Sequence, residues 1–424
     1  MDRPLGCFEA AARNPDKDQQ VDRPFARSRQ EPTSGQTFCC GCVPFAADLH
    51  FKLDFTAGRI YGDSINMAKP RIFIEEDSEA GVYHALSRAV DGNDIFADAE
   101  KETFVRMMRA AAAFHQVEIL TFCVMSNHFH IVMKVPQRPD AFDLPLEMVM
   151  ERWQATVDDA SFRTQQRQFD RYRQNGCEAL IESWRLRMID RMFRLTEFMK
   201  SLKQRFTQWF NRRHGRRGTL WEGRYKHVIV EDAGPAMYTI TTYVDLNPVR
   251  AGIVTDPGDY RWCGYAEAMA ENRLALAGLM AITGIGHRHG NGQHGAAASH
   301  DQVSGETPWQ QRRRELRALA EYRRLLGIAG RPRVTEDGRI IRRGLSPEVQ
   351  ERMAAKCGVR TELLLRKVRH LTDGVILGSP EFIDRWFERH RYWFGGRSRE
   401  HRATGARRIG PGWKGLFTLR ALRS

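Results

Sequence analysis

Long apolar runs are missing from this 424-residue chain, so no stretch reads as able to cross a bilayer. The first residues do not read as a signal peptide, and a cytoplasmic, nucleoid-associated location is the expectation. Cysteine is scarce and scattered, eight in all, which excludes a disulfide framework. One CxxC spacing occurs, in Cys39-Cys40-Gly41-Cys42, but no second pair accompanies it. A zinc site needs four ligands, so a reduced cluster in a tail is the better reading. Acidic residues are also short, with Asp and Glu numbering 52 against 66 Lys and Arg. The formal charge is +14 and the pI about 9.6. A basic surface attracts polyanions, nucleic acid first and anionic membrane second.

The length suits two or three domains. Residues 1–66 are mixed polar and show no sustained periodicity, as expected of a disordered segment or of sequence upstream of a native start at Met67. Beyond it, residues 81–88 read as a strand and 98–115 as a helix with Asp98 as its N-cap. Residues 117–125 and 128–135 read as a hairpin around Ser126-Asn127. Strand, helix, strand, strand is the first half of a ferredoxin-like α+β sandwich, an antiparallel sheet with helices on it. Residues 137–189 change composition and read as a helical insertion. Residues 191–213 form an amphipathic helix with Leu195, Met199, Leu202, Phe206 and Phe210 at helical spacing.

The stretch Asn127-His128-Phe129-His130-Ile131-Val132-Met133 carries two histidines two apart. On a strand both imidazoles share one face, and neighbouring imidazoles are half of a metal site. A half-exposed strand that happens to carry two histidines is the plain alternative. Downstream, residues 214–225 form a glycine-rich basic loop with aromatics. Arg216, Arg217, Arg224 and Lys226 suit phosphate contacts, and Trp221 and Tyr225 could stack on bases. Trp221 could equally anchor the loop in the core. Residues 234–246 read as a helix, whose end runs into Tyr243-Val-Asp-Leu-Asn-Pro-Val-Arg-Ala-Gly252. Tyr243 and Asn247 lie four apart, on one helix face. Taken singly, Tyr243 suits a core aromatic and Asn247 an N-cap before Pro248.

In combination the pattern resembles the single-tyrosine HUH transposases, most closely the REP-associated tyrosine transposase branch. Four blocks carry the resemblance in order: residues 81–88, the histidine hairpin 123–133, Trp221-Glu-Gly-Arg-Tyr-Lys226, and the tyrosine block 243–254 followed by Asp259-Tyr-Arg-Trp262. It covers about residues 70 to 265. It implies Tyr243 as nucleophile and His128, His130 and Asn247 as ligands of Mg²⁺ or Mn²⁺. It also implies a DNA partner, single-stranded or hairpin, with Arg250 beside the basic loop as a contact, and action as a monomer or a homodimer. His115, Tyr83, Tyr225 and Tyr238 are nearby alternatives for the chemistry, and His84 and His227 read as structural or phosphate-facing. A domesticated DNA-binding protein without catalysis, and a replication or conjugation initiator, are rival readings. The insertion and the region past 265 depart from the family pattern. Residues 266–305 read as a linker, with a Gly- and His-rich stretch from 285. Residues 306–424 read as a basic, mostly helical region, with a helix-turn-helix-like unit around Cys357-Gly-Val359.

Overall fold

The computed structural model describes residues 71–74, 79–140, 144–285, 307–327, 333–334, 340–342, 369–391, 405–409, 413 and 415–419. The segment before residue 71, the Gly- and His-rich stretch and the helix-turn-helix-like unit lie outside them. The fold is α+β. In chain order the first elements are β1 (Gly81–Arg88), α1 (Asp98–His115), β2 (Glu118–Val124) and β3 (His128–Val135). Three helices of the insertion follow: α2 (Leu146–Gln154), α3 (Asp159–Gln174) and α4 (Glu178–Arg191). Then come α5 (Leu195–Arg213) and β4 (Lys226–Val230). The four strands lie antiparallel in the order β2-β3-β1-β4, the ferredoxin-like arrangement.

Period-two alternation splits the side chains between the two faces of this sheet. Tyr83, Ala85, Phe129, Ile131 and Met133 pack under α1 and α5, joined by Phe104, Met108, Phe198 and Phe206. Val82, Val132, Val228 and Val230 face the other way, into a second core. A bulge between Ile119 and Thr121 turns both Leu120 and Thr121 toward this second face. The insertion has a small core of its own, with Val149, Phe169, Ile181, Trp184 and Ile189 packed on Phe114 at the end of α1. Ala97 occupies the N-cap of α1, so Asp98 is the first helical residue, where its charge still complements the helix dipole. The helix expected from 191 begins at Leu195, because the chain bends at Phe193 with φ of 56°.

The second face is covered by α6 (Gly234–Asp245), the one-turn α7 (Asn247–Arg250), α8 (Gly264–Met269), α9 (Arg273–Thr283) and α10 (Pro308–Leu325). The stretch 266–285, expected as the start of a linker, is therefore part of the body. Ala275, Leu276, Leu279 and Ile282 are buried, and Gly278 sits so close to β2 that a Cβ there would lie 2.3 Å from the Leu120 carbonyl oxygen.

The described residues of the C-terminal region form both helices and short strands. After a small two-stranded ladder of β5 (Arg333–Val334) and β6 (Ile340–Arg342) come α11 (His370–Asp373), β7 (Ile376–Gly378), α12 (Pro380–Arg389), β8 (Arg407–Arg408) and β9 (Phe417–Leu419). β7 pairs in parallel with β4, and β9 and β8 continue the sheet to seven strands. Two- and three-residue strands are too short to show alternation, so their sequence reads as loop. Among the described residues no helix is long and apolar enough to cross a membrane.

Candidate active site

His128 and His130 project from one face of β3, with ring centroids 5.1 Å apart, while Phe129 and Ile131 sit in the core behind them. The antiparallel register sets Arg88 opposite His128 and Leu86 opposite His130. His84 shares their face, and its Nε2 lies 2.9 Å from His130 Nδ1. On its other side His84 Nδ1 donates to the Leu371 carbonyl in α11 at 2.8 Å. His128 Nδ1 is 2.7 Å from Asn127 Oδ1, while Asn127 Nδ2 donates to the Gly92 carbonyl at 3.1 Å. A carbonyl only accepts, so the Gly92 contact orients the Asn127 amide. Its oxygen then faces His128, whose Nδ1 must carry the proton.

α6 crosses this face because its buried side, including Ala236, Met237, Ile240 and Val244, packs on the second core. The Tyr243 ring meets His130 edge to face, centroids 6.2 Å apart and planes at 87°. α6 ends at Asp245, and the one-turn α7 starts at Asn247 with Pro248 in its first turn. Leu246, rather than Asn247, takes the cap position. That leaves the Asn247 side chain for the site: its Oδ1 accepts from Arg250 Nη2 at 2.5 Å, and its Nδ2 is buried without a partner. The Arg250 guanidinium lies 4.1 Å over the Tyr243 ring. Tyr243 from one stretch thus meets the histidines of another, and Arg250 links Tyr243 to Asn247. Sequence reasoning leaves His84 outside the site, although it lies two residues from Leu86 on the strand paired with β3.

Burial dominates the electrostatics. It pushes the His84 imidazole down to about 4, and lowers His130 well below its usual value, with His84 and His128 adding. Burial raises the Tyr243 phenol, Arg250 opposes it, and Asp373 adds to it. Tyr243 is therefore a neutral phenol at pH 7, and the neighbouring guanidinium offsets part of the cost of charging it.

Asp245, between Tyr243 and Asn247, points away from the histidines. Its carboxylate accepts from Thr121 Oγ1 at 2.8 Å, Tyr322 Oη at 2.5 Å and the Tyr265 amide at 3.1 Å. Burial raises it to about 6, against these hydrogen bonds. One carboxylate thereby ties α6 to β2, α8 and α10 at the level of the site.

The basic loop divides. Arg216, Arg217, Arg224 and Lys226 are exposed, and Lys226 pairs with Asp373 at 2.8 Å. Trp221 is not presented for stacking: it is 7% exposed, packs on Phe129 and Phe206, and donates from Nε1 to Thr207 Oγ1 at 2.9 Å. Tyr225 is equally buried, under the Arg71 guanidinium. A large indole removed from water favours the core over an aqueous base-stacking role. Arg250, half-buried, is engaged at Tyr243 and Asn247 instead of lying on an open surface. The loop is stitched to the end of β1 by Glu222 N to Arg88 O at 3.0 Å and Val90 N to Leu220 O at 3.1 Å. His115 and His227 serve structure, binding the Arg191 and Ile72 carbonyls. Tyr83 Oη accepts from the Ile74 amide.

Among the described residues no group of three or more His, Cys, Asp or Glu side chains is arranged to hold a metal ion. By donor chemistry, neutral imidazole nitrogens and an amide oxygen are groups that a divalent cation accepts. With its Nδ1 protonated, His128 keeps Nε2 as the electron-pair nitrogen. The Asn247 amide has an orphaned buried nitrogen and an oxygen that accepts from Arg250.

No protein-family model and no curated protein matches this chain. Among solved structures it is similar to a REP-associated tyrosine transposase bound to a REP hairpin, at 13% identity and a TM-score of 0.26, over 45% of this chain and 79% of that one.

Proposed function

We propose that the chain is a tyrosine-dependent DNA strand transferase of the single-tyrosine HUH class. Within that class we assign it to the REP-associated branch, with single-stranded or hairpin DNA as substrate. The observation that carries this reading is the edge of the Tyr243 ring against His130, beside His128, with Arg250 bridging Tyr243 to Asn247. DNA binding requires none of these contacts.

In this reading the Tyr243 oxygen attacks a backbone phosphorus. A Tyr–O–P bond forms, the P–O3′ bond breaks, and the products are a 5′-phosphotyrosine and a free 3′-hydroxyl. Because the bond energy is kept, another 3′-hydroxyl can reverse the step and rejoin strands. Mg²⁺ or Mn²⁺ on His128, His130 and Asn247 would supply Lewis-acid polarisation of the phosphate. Arg250 has two tasks: it orients the Asn247 amide and it favours the phenolate as the proton leaves. The exposed Arg216, Arg217 and Arg224 suit the flanking backbone, and Lys226 joins them if phosphate displaces Asp373.

The test is incubation with end-labelled single-stranded and hairpin oligonucleotides from the DNA flanking the gene, with Mn²⁺, Mg²⁺ or EDTA. A metal-dependent covalent adduct, lost in Tyr243→Phe, is the expected result. Tight binding by both proteins with no adduct in any metal overturns the catalytic reading in favour of a domesticated DNA-binding protein.

A further inference from the structure

The histidine pair is wired differently on its two sides, and the wiring of His130 reaches far outside the catalytic strands. His84 Nδ1 faces the Leu371 carbonyl at 2.8 Å. A carbonyl oxygen has no proton to give, so His84 Nδ1 must be the protonated nitrogen. His84 is fully buried, an environment in which an imidazole ring rests neutral. A neutral ring with Nδ1 protonated presents a lone pair at Nε2. That lone pair sits 2.9 Å from His130 Nδ1. Two lone pairs do not meet at that distance, so His130 Nδ1 carries a proton and donates it. His130 is then left with its lone pair on Nε2.

We infer that His84 is a positioning residue for this site, and that the Leu371 carbonyl, acting through His84, fixes which nitrogen of His130 is the electron-pair donor. This rests on the proposed strand-transfer site, whose His130 it equips as a ligand. It gives the C-terminal region a share in that site. α11 is held against the site by the Lys226–Asp373 ion pair at 2.8 Å and by the pairing of Ile229 with Ile376. The result matches the other histidine, where the Gly92 carbonyl sets Asn127 and Asn127 sets His128. Two backbone carbonyls, one on each side, leave both rings with the same nitrogen bare. Residues that orient a ligating histidine through its second nitrogen typically change metal affinity 10- to 100-fold when lost, on the order of what a direct test resolves.

The experiment uses the full chain labelled with ¹⁵N-histidine, with long-range ¹H–¹⁵N correlation spectra to read tautomers directly, and electron paramagnetic resonance to titrate Mn²⁺. The His130 signals are assigned by their loss in His130→Gln. Wild-type His130 is expected as the Nδ1–H tautomer. In His84→Leu it is expected to shift toward Nε2–H or a mixture, with Mn²⁺ affinity down roughly 10- to 100-fold. His84→Gln, whose amide oxygen can still accept from His130, is expected to restore the tautomer. Wild-type His130 found as Nε2–H overturns the inference, and so does an unchanged tautomer in His84→Leu. Should His84→Leu fail to fold, the wild-type spectrum still decides. A wild-type protein showing Nδ1–H at His130, but no Mn²⁺ binding and no tyrosine adduct, supports the wiring while overturning the strand-transfer reading.

Discussion

Acid should loosen the packing of the inserted helices, and His115 is the reason. This histidine ends α1, is fully buried, and donates from Nδ1 to the Arg191 carbonyl at the end of α4, 2.7 Å away. Its own carbonyl accepts from the Phe193 amide at 2.9 Å. Its Nε2 is buried without a partner, so a proton added there finds nothing to accept it. Burial pushes the group down to about 4 from an ordinary value of 6.5. The folded value is depressed, so the unfolded chain takes up a proton first as pH falls. The contribution of His115 to stability is therefore complete above pH 6.5 and is lost progressively down to about 4. Between pH 7.5 and 4.5 the linkage integral gives about 2 to 3 kcal/mol. The assay is urea unfolding at pH 7.5, 5.5 and 4.5 for wild type and His115→Leu, with hydrogen exchange on α2–α4 as a local probe. Wild type should lose that amount more than the variant across the range, and exchange in α2–α4 should accelerate more in wild type than in the variant. Parallel pH profiles for the two proteins would refute the reasoning.

Two further perturbations test packing. Gly278→Ala places a Cβ 2.3 Å from a backbone oxygen, so the overpacking cost of about 1 to 3 kcal/mol should exceed the helix-propensity gain of about 1 kcal/mol, and calorimetry should show a lower Tm. Trp221→Ala should destabilise by about 3 to 5 kcal/mol, because the indole is core, and its DNA affinity should fall only in step with the folded fraction measured by circular dichroism. An affinity loss at full folding would return Trp221 to the role of stacking platform.

The parts of the site legible in the sequence are those governed by a short repeat. Period two places His128 and His130 side by side, and the fourfold spacing places Tyr243 near Asn247, so spacing alone reveals both pairs. The role of His84 is not legible in this way, because its partner is a backbone carbonyl 287 residues away and carbonyls carry no sequence signature. Trp221 and Tyr225 are ambiguous in sequence because an aromatic beside arginines serves a core and a stacking platform equally well; only burial separates the two. α9 is masked by the Gly- and His-rich stretch that follows it, although Ala275, Leu276, Leu279 and Ile282 hold a helical stripe that marks it. The C-terminal strands stay hidden for a different reason: their place is set by the outer edge of β4, which the sequence does not display.

That edge has a consequence for how the protein is made. β4 is the apolar strand Lys-His-Val-Ile-Val, and its outer partner β7 begins only at Ile376. A ribosome adding roughly 5 to 20 residues per second needs on the order of ten seconds to bring β7 out behind it. For that interval the nascent chain carries an open, sticky strand, a template for pairing with neighbouring chains. Slow translation or a scarcity of holdase chaperones should therefore reduce yield through this strand, in cells where the finished protein is stable.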